Sequence, residues 1–160
     1  MSVAKTIVQF LSILAFALSA ALASAQDRPS YGSNVSLAAA KKIAAGAVTE
    51  AQKNNWRVAV AVVDNHGFLV YYEMMDDTQT SSSAIAIEKA RSAAMFRRPT
   101  RVMEDVVNKG RTSFLGIPGA TPIAGGLPIM VGGKVTGGVG VSGVTSDQDE
   151  QCAKAGLGVM

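Results

Sequence analysis

Apolar residues recur at helical spacing from Leu37 onward. Leu37, Ala40, Ile43, Ala44, Ala47, Val48 and Ala51 fall on one face, and Lys41, Lys42, Glu50 and Lys53 on the others. Ser36 stands where an N-cap is needed and Asn54-Asn55 where the helix must stop. The pattern then changes period. Arg57–Asp64 is dense in β-branched residues, Asn65-His66-Gly67 supplies turn formers, and Phe68–Met74 returns, which predicts an antiparallel hairpin. A polar connection over 75–80 leads to Ser81-Ser82-Ser83, which opens a helix running to about Arg98. That helix is apolar or small on nearly every face except around Glu88, Lys89 and Arg91, so it is expected to be covered on more than one side. Pro99 stops it, and Thr100 is placed to cap a short helix over 101–108, closed by Lys109-Gly110.

The stretch 116–125 carries two prolines and reads as a loop, with a lid over a pocket as one use for it. A second hairpin follows: Leu127–Val131 and Val135–Ser142, joined by Gly132-Gly133-Lys134. Its second strand interleaves valine with several glycines. Glycine weakens a strand, so something must approach this backbone closely: a packed helix, a neighbouring subunit or a ligand. The glycines lie inside a hairpin, which excludes a dinucleotide fingerprint. Ser146-Asp147-Gln148-Asp149 has the form of an N-terminal cap for a last helix through Cys152 and Ala155. Helix, hairpin, helix, short helix, hairpin, helix is the order of an α+β domain, an antiparallel sheet of hairpins flanked by helices.

Composition changes the picture at the N-terminus. Lys5, the apolar run from Ile7 to Leu22 and Ala23-Ser24-Ala25 have the form of a secretory signal peptide. The expected organisation is therefore a signal peptide over 1–25, a loose leader over 26–35 and one domain over 36–160, with export to the periplasm or beyond. The mature chain, starting at Gln26, loses one of the 15 basic residues and keeps all 12 acidic ones, so its charge lies below the +3 of the whole chain. Arg97, Arg98 and Arg101 form its one basic cluster, too short for a nucleic-acid face. With Cys152 as the single cysteine, an intramolecular disulfide is excluded and burial of the thiol is expected.

Few residues suggest chemistry by themselves. No serine-protease-like set, Cys-His pair, zinc spacing or phosphate loop is present. Lys89, among alanines, either finds a partner and shifts its properties or snorkels to solvent. Glu73, Asp76 and Asp77 could offer oxygen ligands to a hard cation, although without a calcium-loop spacing; the bland reading is a solvated loop. His66, the only histidine, sits at a turn tip, where an exposed polar role is expected before metal or haem ligation.

The segments VAVVDNHGFLV, the helix around Ser82–Ala90, FRRPT at Phe96–Thr100, GGLPI, VTGGVGVSG and the ending over 149–156 together resemble the GlcG/HbpS-like, or haem-degrading domain, family. The similarity spans 36–159. It implies a profilin-like α+β fold, symmetric homo-oligomers and an exported protein that binds haem, with iron at surface carboxylates, here Glu73, Asp76 and Asp77. It also implies a ligand site of Lys89, Phe96, Arg97, Arg98, Thr100, Gly125 and Gly126. Within it the arginines would meet haem propionates, and Thr100, ahead of His66 or Met75, would serve as axial donor. One departure is the methionine at position 74, where the family usually carries an arginine. An alternative function is action on a small oxygenated acid, with Lys89 and the Gly125–Gly126 backbone forming the pocket; whether the protein is an enzyme stays open. No nucleic acid partner and no membrane span in the mature chain are expected.

Overall fold

The computed structural model describes residues 28–160; the signal peptide expected over 1–25 lies outside the described residues. Helix α1 spans Leu37–Lys53, and the Ser36 hydroxyl accepts the Ala39 N–H at 3.2 Å, as its position before the apolar stripe requires. Asn55, at φ 56°, turns the chain out of the helix. Strands β1 (Ala59–Asp64) and β2 (Leu69–Met74) form the first hairpin, and β3 (Gly126–Val131) and β4 (Lys134–Ser142) the second. Gly132 and Gly133 both have positive φ, the conformation that a two-residue turn of this hand demands. The two hairpins join through β1 and β4, giving one antiparallel sheet in the order β2-β1-β4-β3.

The alternation along β1 divides the molecule into layers. Val58, Val60 and Val62 face α1 and the last helix, α4 (Ser146–Leu157), and pack with Ile43, Val139, Val141 and Cys152. Ala59, Ala61 and Val63 face the opposite way, against Ala86, Ala90 and Ala94 of helix α2 (Ser82–Phe96). On that side glycine is required. A Cβ on Gly140 would lie 2.0 Å from the Ala86 carbonyl oxygen, and one on Gly138 2.3 Å from that of Ala90. The close approach that the glycine-rich strand announced is therefore made by α2. Burial pushes the Cys152 thiol up to about 12, so it stays protonated and inert.

Several sequence expectations need correction. The described part of the 26–35 leader is not loose: Gly32 donates to the Val135 carbonyl, Val135 to Ser30 and Val35 to Thr136, all at 2.8–2.9 Å. This segment straps the start of β4 where β1 no longer reaches. Helix α2 ends at Phe96 with Arg97 in the left-handed conformation, so Arg97 and Arg98 lie beyond its last turn. Pro99, not Thr100, precedes helix α3 (Thr100–Asn108), because the Thr100 hydroxyl is taken elsewhere. The cap of α4 is Thr145, paired in a capping box with Gln148, since Asp149 is drawn into the interior. Among the described residues no helix is long and apolar enough to cross a membrane.

Candidate functional site

Helix α2 carries one chemistry at its middle and another at its C-terminal end. Near its middle, Lys89 is 1% exposed, its ammonium 2.7 Å from Asp149 Oδ2 and donating to the Val141 carbonyl at 3.0 Å. The snorkelling alternative is thereby excluded; Lys89 has a partner. Asp149 Oδ1 accepts the Val144 N–H at 3.1 Å. Burial pushes the Asp149 carboxyl up, opposed by the Lys89 charge and by the hydrogen bonds it accepts. The pair lies on the wall of a cavity of about 170 Å³.

Gly125 and Gly126 form the hub of this region. A Cβ on Gly125 would meet Asp149 Cβ at 2.8 Å and Lys89 Nζ at 2.9 Å; one on Gly126 would meet the Lys89 carbonyl oxygen at 2.4 Å and Thr100 Cγ2 at 2.7 Å. Thr100 is fully buried, and its hydroxyl accepts the Gly126 N–H at 2.9 Å. The structure thus brings Lys89, Thr100, Gly125 and Gly126 together, as closely packed supports. Thr100 is a clasp on the loop before β3 and presents no oxygen on the surface for an iron atom. Ser92 and Glu104 pin the same loop, accepting the N–H groups of Thr121 and Ala124 at 3.0 and 3.1 Å. The stretch expected as a lid is tied down at both points.

Phe96, Arg97 and Arg98 sit apart from that hub, roughly 10 Å from Lys89 along the helix axis. Here the strap contributes residues that sequence reasoning passed over. The Tyr31 hydroxyl donates to the Met95 carbonyl at 2.8 Å, its ring lies 5.2 Å beneath the Arg97 guanidinium, and Arg97 donates to the Pro29 carbonyl at 3.2 Å. Burial, then Arg28 and Arg97 close by, hold the Arg98 guanidinium below its usual range. Among the described residues none of these three arginines is salt-bridged to a carboxylate, whereas Arg101, from the same sequence cluster, pairs with Asp147 and Glu150 of α4. The turn bearing His66 folds onto the same end of α2: the Gly67 carbonyl accepts Arg91 Nε at 3.0 Å, and Gly67 packs on Met95. His66 is exposed, as are Phe68 (71%), Met95 (47%) and Tyr31 (44%). The signal for Tyr31 was present as the one aromatic of an otherwise polar leader.

Glu73, Asp76 and Asp77 line a common groove of about 560 Å³ with Arg57, Met74 and Met75. Glu73 accepts the Tyr71 hydroxyl at 3.1 Å and pushes that phenol up. The three carboxylates do not converge: among the described residues no group of three acidic, histidine or cysteine side chains could hold a metal ion. The expected iron ligand set is not formed.

A four-stranded antiparallel sheet between helical layers, with a basic, aromatic face at the end of helix α2, defines the chain as an α+β protein of a single four-stranded sheet. The chain belongs to the haem degrading protein HbpS-like family, whose model matches residues 35–158. It is 47% identical to Protein GlcG of Escherichia coli (strain K12) over 103 residues, 64% of this chain and 77% of that protein. The crystal structure of HbpS superposes with a TM-score of 0.76 at 32% identity, covering 86% of this chain and 97% of that one. PduOC, solved as a complex with haem, gives a TM-score of 0.73 at 27% identity over 79% of this chain and 95% of its own.

Proposed function

We propose that this chain is an exported haem-binding protein that works as a homo-oligomer and holds haem at the C-terminal end of α2. The observation that carries the reading is the haem complex of a solved relative aligned over 79% of this chain. The residues fit the group. Arg28, Arg97 and Arg98 lack carboxylate partners among the described residues and suit two propionates through charge-assisted hydrogen bonds. Exposed Phe68 and Tyr31 offer flat apolar surface to a macrocycle. His66 and Met95, of the residue types that ligate haem iron, stand at this end of the helix. Haem would supply the iron redox chemistry. Thr100 acts from beneath, by fixing the loop on which α2 rests.

Haemin titration followed at the Soret band tests this. A saturable change is expected, weakened on the order of tenfold for each arginine lost in Arg97→Ala/Arg98→Ala. His66→Ala or Met95→Leu should remove the axial signature, and Thr100→Val should leave it intact. A wild-type protein with no saturable change overturns the haem reading.

A further inference from the structure

We infer that the cavity around Lys89 and Asp149 is a second binding site, for a short-chain carboxylic acid carrying an oxygen next to its carboxyl group. The cavity, about 170 Å³, is bounded by residues of α2, the end of β4, the start of α4 and the loop before β3. It has roughly the room of five or six water molecules and falls below the range of drug-sized or tetrapyrrole sites. A small molecule fits; haem does not.

The polarity of the wall selects the ligand. An ammonium carries three hydrogens, and Lys89 uses two of them, on Val141 and Asp149. The third belongs to a side chain that is 1% exposed and lines the cavity. Ser82 and Ser142, both buried, line it too, with hydroxyls that no described residue engages, and Ser146 adds another. Ser146 also opens α4, where the Thr145 side chain accepts only the Gln148 N–H, so the N–H groups of Ser146 and Asp147 add to the donors at this helix start. Asp149, by contrast, already accepts from Lys89 on one oxygen and from the Val144 N–H on the other. The unused Lys89 hydrogen and the helix-start N–H groups are fixed donors and the hydroxyls can donate or accept, so the wall favours an anionic ligand over a cation. Because Asp149 already balances the Lys89 charge, a bound anion is held by the unused ammonium hydrogen and the helix-start N–H groups, and a single negative charge meets less repulsion from Asp149 than a dianion would. Ile85 and Ile123 complete the wall and suit a short carbon chain. The serine hydroxyls on the same wall can pair with a second oxygen on the ligand as donors or acceptors.

Lactate, propionate and sulfate are the probes, with amide chemical shifts and melting temperature as readouts. Lactate should give saturable shifts at Ser82, Gly143 and Ser146 and a melting temperature that rises with its concentration. Propionate should bind at least tenfold more weakly. Ile123→Trp, a change at a half-exposed loop position that fills the mouth, should abolish the response while haemin titrates as in the parent. Ser82→Ala/Ser142→Ala, which leaves the ion pair untouched, should weaken lactate at least tenfold. The inference falls if lactate gives no saturable response, if propionate or sulfate equals it, or if the response survives Ile123→Trp. It does not rest on the haem reading: a protein that binds lactate here and no haemin supports this site and overturns only the other.

Discussion

Replacing Lys89 by methionine keeps the length of the side chain and removes its charge. Lys89 and Asp149 are 1% and 3% exposed and 2.7 Å apart. Breaking such a pair from one side leaves a buried carboxylate without its counter-charge, at a cost of about 3–5 kcal/mol. Against a typical total of about 5–15 kcal/mol this is a large fraction, and a domain of this size should melt on the order of 10–20 °C lower. The variant should also acquire a distinctive pH dependence. Burial already holds the Asp149 carboxyl above its usual value, and Lys89 is what pulls it back. Without Lys89, the folded state takes up a proton at a pH where the unfolded chain, with a carboxyl pKa of about 4, does not. Stability of Lys89→Met should therefore climb as pH falls from neutral toward about 4 and be lost as pH rises through the folded-state pKa. Lys89→Met/Asp149→Asn, which keeps an acceptor for the Val144 N–H but no charge, should recover much of the loss and flatten the profile. Urea titrations at a series of pH values read both quantities. A loss below about 1 kcal/mol, the range of exposed pairs, or a Lys89→Met stability that does not improve on acidification, refutes the reasoning.

Gly140→Ala places a methyl 2.0 Å from a helix carbonyl that cannot move alone, and should cost more than about 3 kcal/mol or prevent soluble expression; Gly116→Ala, with open space around it, should stay within about 0.5 kcal/mol in the same urea titration. N-terminal sequencing of exported protein should begin at Gln26, and retention of Met1 in a membrane-held product would overturn the signal-peptide expectation. Light scattering at micromolar concentration should report several times the mass of one chain, because α2 shows little polar face and exposes Ala84 and Met95; a clean monomer would refute it.

Local periodicity carried most of the elements. The valine alternation of β1, the Gly132-Gly133 turn and the Ser36 cap each depend on neighbours within a few residues, so they were readable in order along the chain. What escaped depends on distant partners. Lys89 remained ambiguous because Asp149 lies sixty residues away, and the same partnership moved the α4 cap, since the acid that completed the expected S-x-x-D was recruited by the lysine. Thr100 looked like a cap for the same kind of reason; only the fold reveals that Gly126 claims its hydroxyl. The strap over 30–35 was hidden, apart from Tyr31, because its hold on β4 is through backbone groups, which leave no trace in side-chain polarity. The basic cluster of three arginines split, with Arg28 replacing Arg101 near Arg97 and Arg98, because Arg101 faces the acids of α4. His66, given an exposed turn role, is indeed exposed, and the sequence had no means of showing that its turn lies on α2.

The two faces of the sheet are held by different kinds of contact. On the α1–α4 side, valine, isoleucine and leucine side chains are removed from water. On the α2 side the partners are alanines and glycine backbone, with peptide groups in near van der Waals contact. The second arrangement removes less apolar area per residue and relies more on dispersion between closely spaced atoms. Apolar exposure is what gives unfolding its positive heat-capacity change, so most of that quantity here originates on the α1–α4 face. The two layers therefore respond differently to temperature: cooling weakens the branched-aliphatic face, while the attachment of α2, with Lys89 on it and Arg97 just past its end, changes much less.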